Sequence, residues 1–157
     1  MFRISNKVST VISLILAVLL FLMMGFLVYW LPEVVNGMID IPDNIGNRQS
    51  ITDAERQLIL VGAYAAVGVA YVTLVFLVLL LHTVLRGRVF SSATLRWLNL
   101  LSLCCFAEAV LFLLGGFYFQ LVLGVAVAAC FLGLLLRVVK NVINEAMRIK
   151  SENDLTV

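Results

Sequence analysis

Few side chains in this 157-residue chain have a type and placement that could do chemistry. Glu108, in LSLCCFAEAVLFLLGG, is the one acidic residue well inside an apolar run. A charge at the centre of a bilayer costs roughly 2.5–3.5 kcal/mol, and burial disfavours the ionised form. Counting helical rise puts Glu108 slightly outward of mid-depth, with Tyr71 and Tyr64 within hydrogen-bonding reach and Gln120 further out. Two readings follow from these residues. One is a proton- or ligand-responsive site at Glu108 with Tyr71 or Tyr64 as partner. The other is a neutral carboxyl that hydrogen-bonds across a helix bundle and fixes its register. Cys104, Cys105 and Cys130 are odd in number, lie in apolar runs and lack metal-ligand spacing, so they read as small apolar residues. His82 reads as an interfacial residue. No Gly-rich phosphate loop, zinc spacing, nucleophile elbow or Cys/His constellation is present. The expectation is a non-enzymatic protein with no cofactor and no metal.

The elements that must position these residues follow from composition. The chain is 63% hydrophobic and 13% charged, with a mean hydropathy of +1.11. A soluble domain of this size has too much surface to hide that apolar content. Four runs reach the roughly 20 residues that a helix needs to cross a bilayer: about 8–31, 58–82, 95–114 and 117–136. Lipid leaves no unpaired backbone, so each should be helical. The first run is too long for the apolar part of a signal peptide, and LPEVVNG after it lacks a small-x-small cleavage site, so it reads as retained.

Orientation follows from the basic residues. Arg3, Lys7, Arg86, Arg88, Arg96, Arg137, Lys140, Arg148 and Lys150 fall on one side, against Arg48 and Arg56 on the other. Both termini are therefore expected in the cytoplasm. Tyr29, Trp30 and Tyr118 suit the outer interface and Trp97 the inner one. In the first loop, Pro32, Gly37, Pro42 and Gly46 predict turns, and Thr52-Asp53-Ala54-Glu55 fits a capping box that starts the second helix near Asp53. Gly87 suits that helix's end, and Ser91 or Ser92 the cap of the third. Gly115-Gly116 forces the third and fourth helices into a hairpin. Gly62, Ala66 and Ala70, with Gly124 and Ala128, offer small faces for helix packing, which could also serve dimerisation.

Beyond 136 the character changes. Val138, Val139, Val142, Ile143, Ala146 and Ile149 recur at helical spacing, with Met147 near the same face and Lys140 and Glu145 on the remainder. This predicts an amphipathic helix continuing the fourth span into the cytoplasm, over 137–157. Its stripe needs a cover: the second-loop region, the membrane surface, another copy or a different protein.

The ending IKSENDLTV, the striped helix before it, the four spans and the GRVFSS element resemble a family of small bacterial four-span membrane proteins of unknown function. Glu152, Asn153, Asp154, Leu155, Thr156 and Val157 carry the most specific part of the resemblance; Gly87, Phe90 and Ser91 match the inner-loop element. Val89, Thr94 and Leu98-Asn99 depart from the family pattern, which weakens any role carried over to that loop. The resemblance implies a bacterial inner-membrane location and a small helix-turn-helix transcription regulator encoded nearby.

The expected fold is all-α, an integral membrane four-helix bundle with both ends cytoplasmic. The leading functional expectation is a regulatory or sensor protein whose tail binds a cytoplasmic partner through Lys140, Ile143, Met147, Glu152, Asn153, Asp154 and Leu155. The alternatives are a small proton-coupled transporter component using Glu108, and a packing subunit of a larger membrane complex with contacts at Gly62, Ala66 and Gly124. Lipid is the expected environment, a homo-oligomer fits the small-residue faces, and no direct nucleic-acid contact is expected.

Overall fold

The computed structural model describes residues 6–40, 51–87 and 90–154. Among them the chain is four α-helices: α1 (Asn6–Asp40), α2 (Asp53–Leu85), α3 (Ser92–Gly115) and α4 (Gln120–Asp154). All four are long and apolar enough to cross a membrane. No strand occurs among the described residues. The expected all-α architecture of four apolar helices is what forms.

The helices pack in chain order. α1 packs on α2, α2 on α3 and α3 on α4; no other pair of helices is in contact among the described residues. The bundle is thus an open row, with α1 and α4 at its edges. α3, flanked on two sides, holds half of the buried positions, including Thr94, Leu98, Leu101 and Ser102.

Local chemistry sets the helix ends. The Glu55 carboxylate accepts hydrogen bonds from the Thr52 amide at 2.9 Å and from its hydroxyl, so α2 starts at Asp53 as the capping signal predicts. Gly87 takes φ +72°, where a side chain would be strained, and its amide bonds the Val84 carbonyl at 2.9 Å. The Ser91 hydroxyl accepts from the Thr94 amide and caps α3. At the α3–α4 turn, a Cβ on Gly116 would lie 3.2 Å from both the Leu113 carbonyl oxygen and Leu123 Cδ1. A side chain there would need these neighbours to give way by a few tenths of an ångström.

Two expectations are corrected. Pro32 and Gly37 do not end α1, which runs through both to Asp40. The extra turns have partners: Leu31 and Val35 are buried, and Asn36 accepts a hydrogen bond from Arg56 Nε at 3.0 Å. That tertiary contact outweighs one lost backbone bond. Pro42 and Gly46 lie outside the described residues. The second correction concerns α4, which begins at Gln120, three residues later than the apolar run, because Gly115 and Gly116 are followed by one more turn of chain.

Candidate functional site

Glu108 lies on α3 with 9% of its surface exposed, and neither carboxylate oxygen has a hydrogen-bond partner among the described residues. Its level is fixed by contacts on either side. Phe76 of α2 packs on Trp97 of α3, with ring centroids 5.9 Å apart. Ser102 donates to the Gly133 carbonyl across the α3–α4 contact at 2.9 Å. Carried along these antiparallel pairs, the register puts Glu108 at about the level of Ala65 on α2 and Val127 on α4. Small apolar residues, among them the buried Ala66 and Ala126, occupy those levels. An ionised carboxylate without a partner in such surroundings would cost several kcal/mol.

The two tyrosines do not supply that partner. Tyr71 faces α1: its ring meets Phe21 edge-on at 5.0 Å, and its hydroxyl lies 3.3 Å from where a Cβ on Gly25 would stand. Tyr64, two turns earlier, shares that side of α2 and is exposed. Ala66 and Phe76, which face α3, are on the other side. The spacing placed all three residues at similar depth, but depth alone does not fix the side of a helix. An open apolar groove of about 470 Å³ runs between α2 and α3, lined by residues such as Gly68, Val72, Leu103 and Cys104. Glu108 does not line it.

Close approach of α3 and α4 depends on Gly133, which the small-residue pattern did not single out. A Cβ there would come within 3.1–3.3 Å of the Phe106 ring and of Cys105 Cβ. Gly62 and Gly124, expected as packing positions, have nothing within 4 Å of such a Cβ. Ala129 and Gly133 form a small-x-x-x-small pair of their own, so the sequence carries a signal for this position beside the Gly124–Ala128 pair. The Arg137 guanidinium sits 5.7 Å from the Phe106 ring centroid, a cation–π contact.

The C-terminal half of α4 is the second candidate surface. Lys140 is half-buried and donates to Asn99 Oδ1 on α3 at 2.8 Å. Ile143 and Met147 are half-buried as well. Of these three expected partner-binding residues, Lys140 is engaged with α3. The outward stripe is Val138, Val142 and Ile149, which are 58%, 63% and 50% exposed. Glu152 is exposed on the same helix, 4.0 Å from Arg148 Nε. Asn153 and Asp154 close α4, and Leu155 lies outside the described residues. Among the described residues no group of His, Cys, Asp or Glu is arranged to hold a metal ion.

The model of a family described as "Protein of unknown function (DUF2975)" matches residues 14–157. The chain belongs to the DUF2975 family. That match covers all four helices of this DUF2975 protein, including the striped end of α4. Comparison with curated proteins and with solved structures returns no match.

Proposed function

We propose that this DUF2975 protein is a non-enzymatic regulatory or sensor protein of a bacterial cell membrane. Both termini lie in the cytoplasm in this reading, where α4 presents a docking arm. The observation that carries it is the continuity of α4. One 35-residue helix joins an apolar half to a polar, striped half, and Lys140–Asn99 ties the start of the arm to α3. A change in packing among the apolar helices is then felt at the arm. The asymmetry of the basic residues supports the orientation. A small helix-turn-helix regulator is the partner that the family resemblance supports.

Co-purification from mild detergent tests the reading, comparing the full chain with one ending at Met147. The shorter chain keeps the part of α4 packed on α3. Loss of partner recovery in the shorter chain is the expected result. Equal recovery from both chains would remove the arm as docking surface. A reporter fused after Val157 that is active only on the outer face would remove the orientation.

One observation favours a second reading, a small proton-coupled carrier component: the unpartnered, buried Glu108. That reading expects pH-dependent flux that Glu108→Gln abolishes and Glu108→Asp partly retains. Flux unchanged in Glu108→Gln would exclude it.

A further inference from the structure

The side of α4 that faces away from α3 carries an unbroken seam with alternating steps of three and four residues. In the first half it runs Leu121, Gly124, Ala128 and Phe131. In the second half it continues through Leu135, Val138, Val142 and Ile149, with Glu145 and Glu152 completing the register. Every one of these positions is exposed. The residues that meet α3, such as Gly133 and Lys140, are half a helical turn away. Lipid accounts for apolar exposure in the first half. It does not account for Val142 and Ile149, which follow the charged Arg137 and Lys140 and stay in step with the same seam.

We infer that α4 pairs along this seam with α4 of a second copy of the chain, as a parallel two-helix coiled coil. The pairing does not rest on the regulatory reading above.

Four observations select a second copy over a different helix. Two copies inserted the same way are parallel, so the boundary between apolar and polar halves coincides in both at no extra cost. A cytoplasmic helix could cover only the second half. A strict three-four repeat is the pattern that keeps one helix face against a partner over many turns. In the first half, Gly124 and Ala128 let two backbones approach, and nothing among the described residues lies within 4 Å of a Cβ built on Gly124. In the second half, the β-branched Val142 and Ile149 fall at the position where such residues favour two strands. The two acidic residues of the seam do not face the partner as bare charges. Arg148 bridges Glu145 and Glu152 on its own helix.

The size is adequate. The seam from Leu121 to Glu152 spans about 46 Å at 1.5 Å per residue and is about 10 Å wide. That is about 900 Å² over both partners, the size of a weak, reversible association, which confinement of both copies to one membrane favours.

The test uses the full chain in membranes. Val142→Cys, on the seam, is compared with Asn144→Cys, which is exposed on α4 but off the seam, both in a background with Cys104, Cys105 and Cys130 changed to alanine. Mild oxidation is expected to join Val142→Cys into a dimer about ten-fold more efficiently, because facing seam positions satisfy disulfide distances. A second measurement keeps the native cysteines. Labelled wild-type chain, diluted in lipid nanodiscs, is expected to bleach in two steps. The Val142→Lys/Ile149→Lys chain, altered only at exposed positions, is expected to bleach in one, with association weakened by about 100-fold. Equal crosslinking at the two cysteine positions, capture of Val142→Cys by a different polypeptide, or single-step bleaching of the wild type would each overturn the proposal.

Discussion

Replacing Glu108 by methionine should make the protein more stable. The side chain is 9% exposed and neither oxygen has a partner among the described residues. A buried polar group left unpaired carries a desolvation penalty of about 1–3 kcal/mol. Methionine has a similar length, no polar atom and a flexible chain that fits irregular space, so imperfect shape takes back at most about 1 kcal/mol. The net expectation is a gain of about 1–2 kcal/mol. For a chain of this size that is roughly 2–8 °C in midpoint. Glu108→Gln should show no such gain, because the amide leaves its own polar atoms unpaired. The assay is thermal or denaturing-detergent unfolding of the full chain, followed by helicity, with the three proteins side by side. A loss of 1 kcal/mol or more in Glu108→Met would refute the reasoning, since it would mean that the carboxyl is held by a partner. A gain in stability joined to a loss of function would mark Glu108 as a residue kept for its chemistry against the interest of the fold.

The remaining predictions concern the joints of the row. Gly133→Leu should force α3 and α4 apart at Phe106 and Cys105, stretch the Ser102 hydrogen bond and cost about 1–3 kcal/mol in the same unfolding assay, whereas Gly62→Leu, which meets nothing within 4 Å, should cost little. Lys140→Met removes the bond to Asn99 and should cost about 1 kcal/mol, with faster amide hydrogen exchange confined to the second half of α4 as its signature. Gly87→Ala puts a side chain at φ +72° and should cost about 1 kcal/mol, read as a lower unfolding midpoint.

Hydropathy made the four helices legible because lipid acts as a solvent: a run of about 20 apolar residues without charge has one stable form there. The caps were legible for a different reason. Thr52 with Glu55, Gly87 and Ser91 act within four residues of themselves, so sequence neighbours are also neighbours in space. Contacts across helices were less legible. In apolar helices with almost no polar face, the pattern does not say which side meets which neighbour. Tyr64 lies at about the level of Glu108, but it shares the side of α2 on which Tyr71 turns to Phe21 and Gly25 of α1. The small residues were visible, yet Gly133 rather than Gly62 or Gly124 makes the close approach. That choice depends on the register of α3 against α4, which the long-range Ser102–Gly133 and Lys140–Asn99 bonds report. Pro32 misled for a related reason, since the Asn36–Arg56 bond that holds the continued helix joins residues 20 apart.

The row-like order of packing connects the two halves of the functional argument. A closed bundle would bury one face of every helix and leave α4 no more special than α1. Here α4 meets only α3, so the side of α4 away from α3 is covered by nothing among the described residues. In the apolar half that vacancy costs nothing, because lipid tails solvate leucine and phenylalanine as well as a helix does. With the polar half in the cytoplasm, as proposed above, the same side meets water, and Val142 and Ile149, both exposed, gain only if something covers them. A helix whose register is maintained through this change of solvent is therefore under a constraint that lipid does not impose. Pairing of two arms meets that constraint. It would also place the Lys140–Asn99 bond on the outer side of each arm, opposite the seam, so that a shift of α3 pulls on the arm from outside and alters the spacing of the pair. A cytoplasmic partner built as a dimer would read that spacing directly. The docking reading and the pairing reading then make one joint demand: Val142→Lys/Ile149→Lys must weaken partner recovery although it leaves residues 150–157 in place.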